Sequence, residues 1–124
     1  MLQLNNFYPK LQEINSYNWI EVRNVENTAL VENLRKELDY GESEAIALAK
    51  ELSADALVSD EMQGRSVAVK LGIHVIGLLG ILIQAKQMEL IDSVKPVLLE
   101  LKNKAGFWVA EELYRLVLKI VDEL

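Results

Sequence analysis

The chain has no cysteine, a single histidine, two prolines and no excess of positive charge. Without cysteine there is no disulfide framework, no zinc–thiolate centre and no thiol nucleophile, and the composition suits a reducing compartment. Long apolar runs are also missing. The longest, Val75 to Ile83, is far short of the roughly 20 residues a membrane helix needs. Met1 to Ile20 lacks a basic start and is interrupted by polar residues, so no signal peptide is expected and the expected location is the cytoplasm. Lys and Arg number 13 against 19 Asp and Glu, for a net charge of −6, and the cations are scattered. Proteins that hold nucleic acid by non-specific phosphate contacts are usually more positive. Any nucleic acid would therefore be held by a local basic rim, a metal or a partner. The spacings Gly-x-Gly-x-x-Gly and Gly-x-Ser-x-Gly and the phosphate-binding P-loop are absent.

What is present fits one globular domain over residues 1–124: 51% hydrophobic, 26% charged, with no linker and no internal repeat. Periodicity predicts a short helix over Phe7–Ile14, a weak strand at Trp19–Val22, and a helix from Val25 to Leu38 closed by Asp39-Tyr40-Gly41. A second helix runs from Glu42 to about Leu52. The apolar run Ala56–Ser59, a helix over Gly64–Leu71 and the run Ile73–Ile76 form a strand–helix–strand unit, which should be parallel and right-handed. Both runs read as strands buried on two faces. Three further helices follow: Gly77–Met88, one after Ser93 with Pro96 in its first turn, and Glu111–Leu124. About three strands make a thin sheet for an α/β domain.

Asp60 closes the first buried run and so stands at the carboxyl end of a strand, where open α/β sheets collect ligands. Glu42 opens its helix on the apolar stripe with Ala45, Ile46 and Ala49, so it points toward the edge of the core. Glu44 lies about 200° further round the same helix. Carboxylates at such an edge suit a hard divalent cation, which can activate water for phosphodiester cleavage. Each acid also has a plainer explanation. Glu42 in a first turn is favoured by the helix dipole, and Asp60 and Glu61 can cap the next helix. Arg65, one turn beyond Asp60, can meet a phosphate or pair with a nearby Glu. His74, alone in an apolar strand, reads as structural. Phe107 and Trp108 can stack on a base, but packing against the last helix is the commoner use of such a pair.

The stretches Leu38-Asp39-Tyr40-Gly41-Glu42-Ser43-Glu44-Ala45-Ile46-Ala47-Leu48-Ala49, Ala54 to Glu61 and Gly64-Arg65 resemble a bacterial and archaeal branch of the PIN-like domain family. The likeness continues through Gly72, Ile76-Gly77-Leu78-Leu79-Gly80 and Ala105-Gly106-Phe107. It implies an α/β fold with a parallel sheet flanked by helices and a ribonuclease dependent on Mg²⁺ or Mn²⁺. Glu42 and Asp60 would be its catalytic and metal-binding acids, Glu44 a further ligand, and Arg65 a contact to RNA. Many such relatives are toxins of toxin–antitoxin pairs, which implies an antitoxin-like partner. Family members open with a strand ending in Asp, and nothing in the first twenty residues fits it. The expectation is thus an N-terminally truncated PIN-like domain. The alternative expectation is a catalytically incomplete relative that acts as an interaction module. An unfinished sheet leaves apolar surface for a second copy, so a homodimer is expected. A receiver-like domain would need an early strand ending in Asp, and none is found.

Overall fold

The computed structural model describes residues 16–124. The helix expected at Phe7–Ile14 lies outside them. The described residues form six helices and one two-stranded parallel sheet, in the order α1 (Thr28–Leu34), α2 (Tyr40–Leu52), β1 (Leu57–Val58), α3 (Met62–Lys70), β2 (Val75–Ile76), α4 (Leu78–Gln87), α5 (Lys95–Ala105) and α6 (Glu111–Ile120). This is the α/β arrangement that the hydrophobic pattern implies.

Local chemistry sets most of the boundaries. Asn27 caps α1 by accepting from the Leu30 amide at 3.1 Å. The helix buries Val31 and Leu34, then unwinds through a turn that still delivers Leu38 to the core. It therefore ends earlier than its periodicity predicts. Asp39 does more than stop it: the Asp39 carboxylate accepts from the Glu42 amide at 2.8 Å and caps α2, which starts at Tyr40. Ser43, fully buried, donates its hydroxyl to the Asp39 carbonyl at 2.7 Å. At the far end of α2, Glu51 accepts from the Glu26 amide at 2.8 Å and from the Asn27 amide, tying that end to the start of α1.

The sheet pairs Leu57 with Val75 and Val58 with Ile76. Leu57 donates to the His74 carbonyl and Ser59 to the Ile76 carbonyl, at 2.8 and 3.0 Å. Side chains alternate across a sheet, so Leu57 and Val75 share one face and Val58 and Ile76 the other. The first face packs on a core of Val31, Leu34, Leu38, Ile46, Ala47, Ala68 and Ile73. On the second face Ile76 meets α4, where a methyl placed on Gly80 would sit 3.1 Å from Ile76 Cγ1. A separate core of Leu82, Val94, Leu98, Val117 and Val121 joins α4, α5 and α6.

Three expectations need correction. Trp19–Val22 is not a strand: Ile20 closes a turn onto the Tyr17 carbonyl at 3.3 Å, and Trp19 and Val22 are both exposed. The sheet among the described residues thus has two strands rather than three. Nor is the first apolar run buried on both faces, because Val58 is 57% exposed. Finally, Ser93 does not cap α5. The N-cap is Val94, which offers no side-chain acceptor, and Glu123 from beyond α6 takes the Val94 and Lys95 amides at 2.7 and 3.0 Å.

Candidate functional site at the carboxyl end of the sheet

The N-termini of α2, α3 and α4 gather where β1 ends, and each brings one element of the site. Glu42 occupies the third position of α2. Its carboxylate lies over Gly64 of α3: a methyl at Gly64 would be 3.5 Å from Glu42 Oε2 and 3.8 Å from Ser59 Oγ. α3 can approach α2 this closely because Gly64 and Ala68, its buried residues, are small. Glu42, Ser59, Val58 and Gly64 line a cleft of about 200 Å³ along β1.

The Glu42 carboxyl is held above its ordinary pKa of 4.5. Desolvation is the largest cause, followed by the negative charges of Asp39 and Glu61 and then a side-chain hydrogen bond with Asp39. Burial and like charge both disfavour the ionised form, which is the combination seen at many working carboxylates.

Asp60 follows Ser59 but turns the other way. Its Oδ1 accepts from the Leu78 amide at 3.0 Å, at the first turn of α4. Gly77, the N-cap of that helix, has no side chain to do this. Asp60 therefore caps a helix 18 positions downstream rather than its neighbour α3. Glu61 is the N-cap of α3 and makes no side-chain capping bond. The capping explanation for Asp60 holds in kind, on a different helix. A methyl at Gly77 would come within 2.9 Å of Asp60 Oδ1 and 3.5 Å of Arg65 Nη1, so both side chains face the Gly77 backbone. They line a second, larger cleft of about 580 Å³, shared with Ile76, Trp108 and Leu113.

The two principal acids thus stand at the same end of the sheet on adjoining clefts, Ser59 facing Glu42 and Asp60 facing Gly77. Glu44 is placed apart, on a cleft lined by Val25, Thr28 and Tyr40. His74 is exposed and serves the sheet through its backbone carbonyl. Arg65 joins none of the ion pairs among the described residues. Three contributions were not foreseen from the sequence: Ser59 in the cleft, Gly64 as the point of close approach to Glu42, and Gly77 as the point of close approach to Asp60.

A hard divalent cation takes several oxygens, commonly one or two carboxylates completed by water and substrate phosphate. Among the described residues no three Asp, Glu or His side chains converge closely enough to hold a metal ion. Glu42 and Asp60 fit as single ligands and do not by themselves close a coordination sphere. No described helix is long and apolar enough to cross a membrane.

No curated protein and no solved structure matches the chain. A family model described as a PIN domain does, over residues 5–123, a span that takes in Glu42 and Asp60. That match, with the mixed α/β fold and its small parallel sheet, places the chain in the PIN domain family, a nuclease-like family whose members generally depend on divalent metals.

Proposed function

We propose that the chain acts on RNA as a metal-dependent ribonuclease of the PIN type, through the two clefts at the carboxyl end of β1. The observation that carries this reading is Glu42. It is a carboxylate beside Gly64 and Ser59, raised in pKa by desolvation and by Asp39 and Glu61, in a place where a cation would relieve the charge. Mg²⁺ or Mn²⁺, when bound, would supply activated water and charge stabilisation. The residues that would contribute to holding it are Glu42 and Asp60. Arg65, without an ion-pair partner among the described residues, is suited to an RNA phosphate. The toxin role of a toxin–antitoxin pair, with an antitoxin-like partner, follows from the family resemblance alone.

The test is cleavage of a structured RNA with Mn²⁺ by the parent, Glu42→Gln and Asp60→Asn. Asparagine keeps an oxygen for the Leu78 amide while removing the charge, so the Asp60→Asn protein should fold and lose cleavage. Equal cleavage by Asp60→Asn and parent would remove Asp60 from the mechanism.

A second reading, an interaction module, has an observation of its own. On α6 Leu113, Leu116 and Ile120 are 44%, 52% and 49% exposed, and their spacing of three and four residues puts them in one stripe. Glu112 and Lys119 flank the stripe two turns apart. In an antiparallel two-fold pair centred near Leu116, Leu113 faces Ile120 of the second copy and Glu112 faces its Lys119. A homodimer through α6 follows. Light scattering at tens of micromolar should give twice the chain mass, and Leu116→Glu should give the monomer; a parent already monomeric removes this reading.

A further inference from the structure

The larger cleft contains a group that neither the acids nor the cores use. Trp108 follows Gly106, whose left-handed backbone (φ 68°) ends α5, and belongs to the loop leading into α6. Its neighbour Phe107 is half-buried and lines the clefts on both sides of the loop. Trp108 is the more open of the two. It is 77% exposed while still lining the cleft that holds Asp60 and Arg65. Tryptophan is the costliest apolar side chain to leave in water, and its flat face is the best of any side chain for stacking. The cations are placed to match. Arg65 reaches the Gly77 backbone on one side of the loop, and Lys102 lines the neighbouring cleft on the other, beside Glu111. The floor between, Ile76, Gly77 and Gly80, is apolar or bare backbone. The anionic member of this cleft, Asp60, accepts from the Leu78 amide through Oδ1 and keeps its second carboxylate oxygen for a cation.

We propose that this cleft is a single-nucleotide subsite, with a nucleobase stacked on the Trp108 indole and the adjoining phosphate held by Arg65. The occupant is single-stranded nucleic acid. Stacking needs an unpaired base, whereas a duplex would present only its backbone to a site of this size. The subsite also answers the chain's overall negative charge, since affinity comes from a π-face and one local cation rather than from bulk charge. It deepens the ribonuclease reading, on which its substrate class rests, and concerns binding rather than cleavage.

The experiment uses the full chain with Trp19→Phe, which leaves Trp108 as the one tryptophan. A short single-stranded 2′-deoxyoligonucleotide, which lacks the hydroxyl that RNA cleavage can recruit, is titrated in EDTA while indole fluorescence is read. The expected result is saturable quenching, weakened about tenfold by Trp108→Ala when followed by a labelled oligonucleotide, and largely kept by Trp108→Phe. Arg65→Gln should weaken binding at low salt and lower the salt slope by about one. Because Trp108 is exposed, its replacement should leave the fold intact, which circular dichroism checks. Binding by Trp108→Ala within twofold of the parent overturns the subsite, as does quenching equally strong with duplex. Cleavage of RNA with Mn²⁺, run in parallel, separates the two claims. Stacking without cleavage keeps the subsite and sinks the nuclease, and cleavage without stacking does the reverse.

Discussion

Asp60 and Gly77 form the most tightly specified pair in the site. Gly77 has ordinary backbone angles (φ −91°, ψ 172°), so another residue could adopt its conformation; the constraint is room. A methyl group there lies 2.9 Å from Asp60 Oδ1, which must then leave the Leu78 amide. Gly77→Ala is expected to cost about 1–2 kcal/mol, the value of a lost helix cap. Urea unfolding reads it, and the cost of Gly77→Ala with Asp60→Ala together should fall well short of the two single costs added, because both remove one bond. Glu42 gives a prediction in pH. Its folded pKa is raised above 4.5, so the folded chain binds this proton more tightly than the unfolded chain. The stability linked to it is present below pH 4.5 and is lost as pH rises through the folded value. Glu42→Gln should therefore be more stable than the parent at pH 7, with the difference closing below pH 4.5, and Mn²⁺ should narrow the gap at pH 7 by stabilising the parent alone.

Helix termini show what an amino-acid pattern can and cannot convey. The apolar periodicity of α2, α4, α5 and α6 was readable, as was Pro96 in a first turn, because these depend on residues within one or two turns. The caps of α4 and α5 were not. Each comes from a carboxylate distant in sequence, Asp60 for Leu78 and Glu123 for Val94 and Lys95. A local search stops at Gly77 and Ser93. Glu123 is also paired with Lys86 at 3.2 Å. Its partial burial works against the charge, but the Val94 and Lys95 amides and the Lys86 ammonium outweigh it and hold the pKa below 4.5. Its contribution is present above pH 4.5 and is lost as pH falls through the lower folded value. Glu123→Ala should cost about 1–3 kcal/mol at pH 7, as expected for hydrogen bonds to a charged acceptor in a half-buried place. Urea unfolding at pH 7 and at pH 3 should show the loss shrinking at the lower pH.

Across the whole molecule, the α/β class and the strand–helix–strand unit were legible because burial follows hydrophobic pattern. The weaker alternation at Trp19–Val22 misled because an alternating pattern forms a strand only where something pairs with it and covers one face. Exposure of Val58, Trp108 and the α6 stripe could not be read from the sequence either, since Val, Trp and Leu read as interior until the packing is known. The same holds for the site. Glu42 and Asp60 were visible as acids at the ends of elements, while their division between two clefts depends on which way the chain turns after Ser59.

That division gives the account its most direct test. Mn²⁺ broadens amide resonances close to where it binds, so it can be added to isotopically labelled protein with a non-cleavable oligonucleotide present. The predicted result is selective broadening at Glu42, Ser59, Asp60 and Gly64, lost in Glu42→Gln. Uniform weak broadening, or broadening centred on Glu44 or on the acidic start of α6, would contradict it.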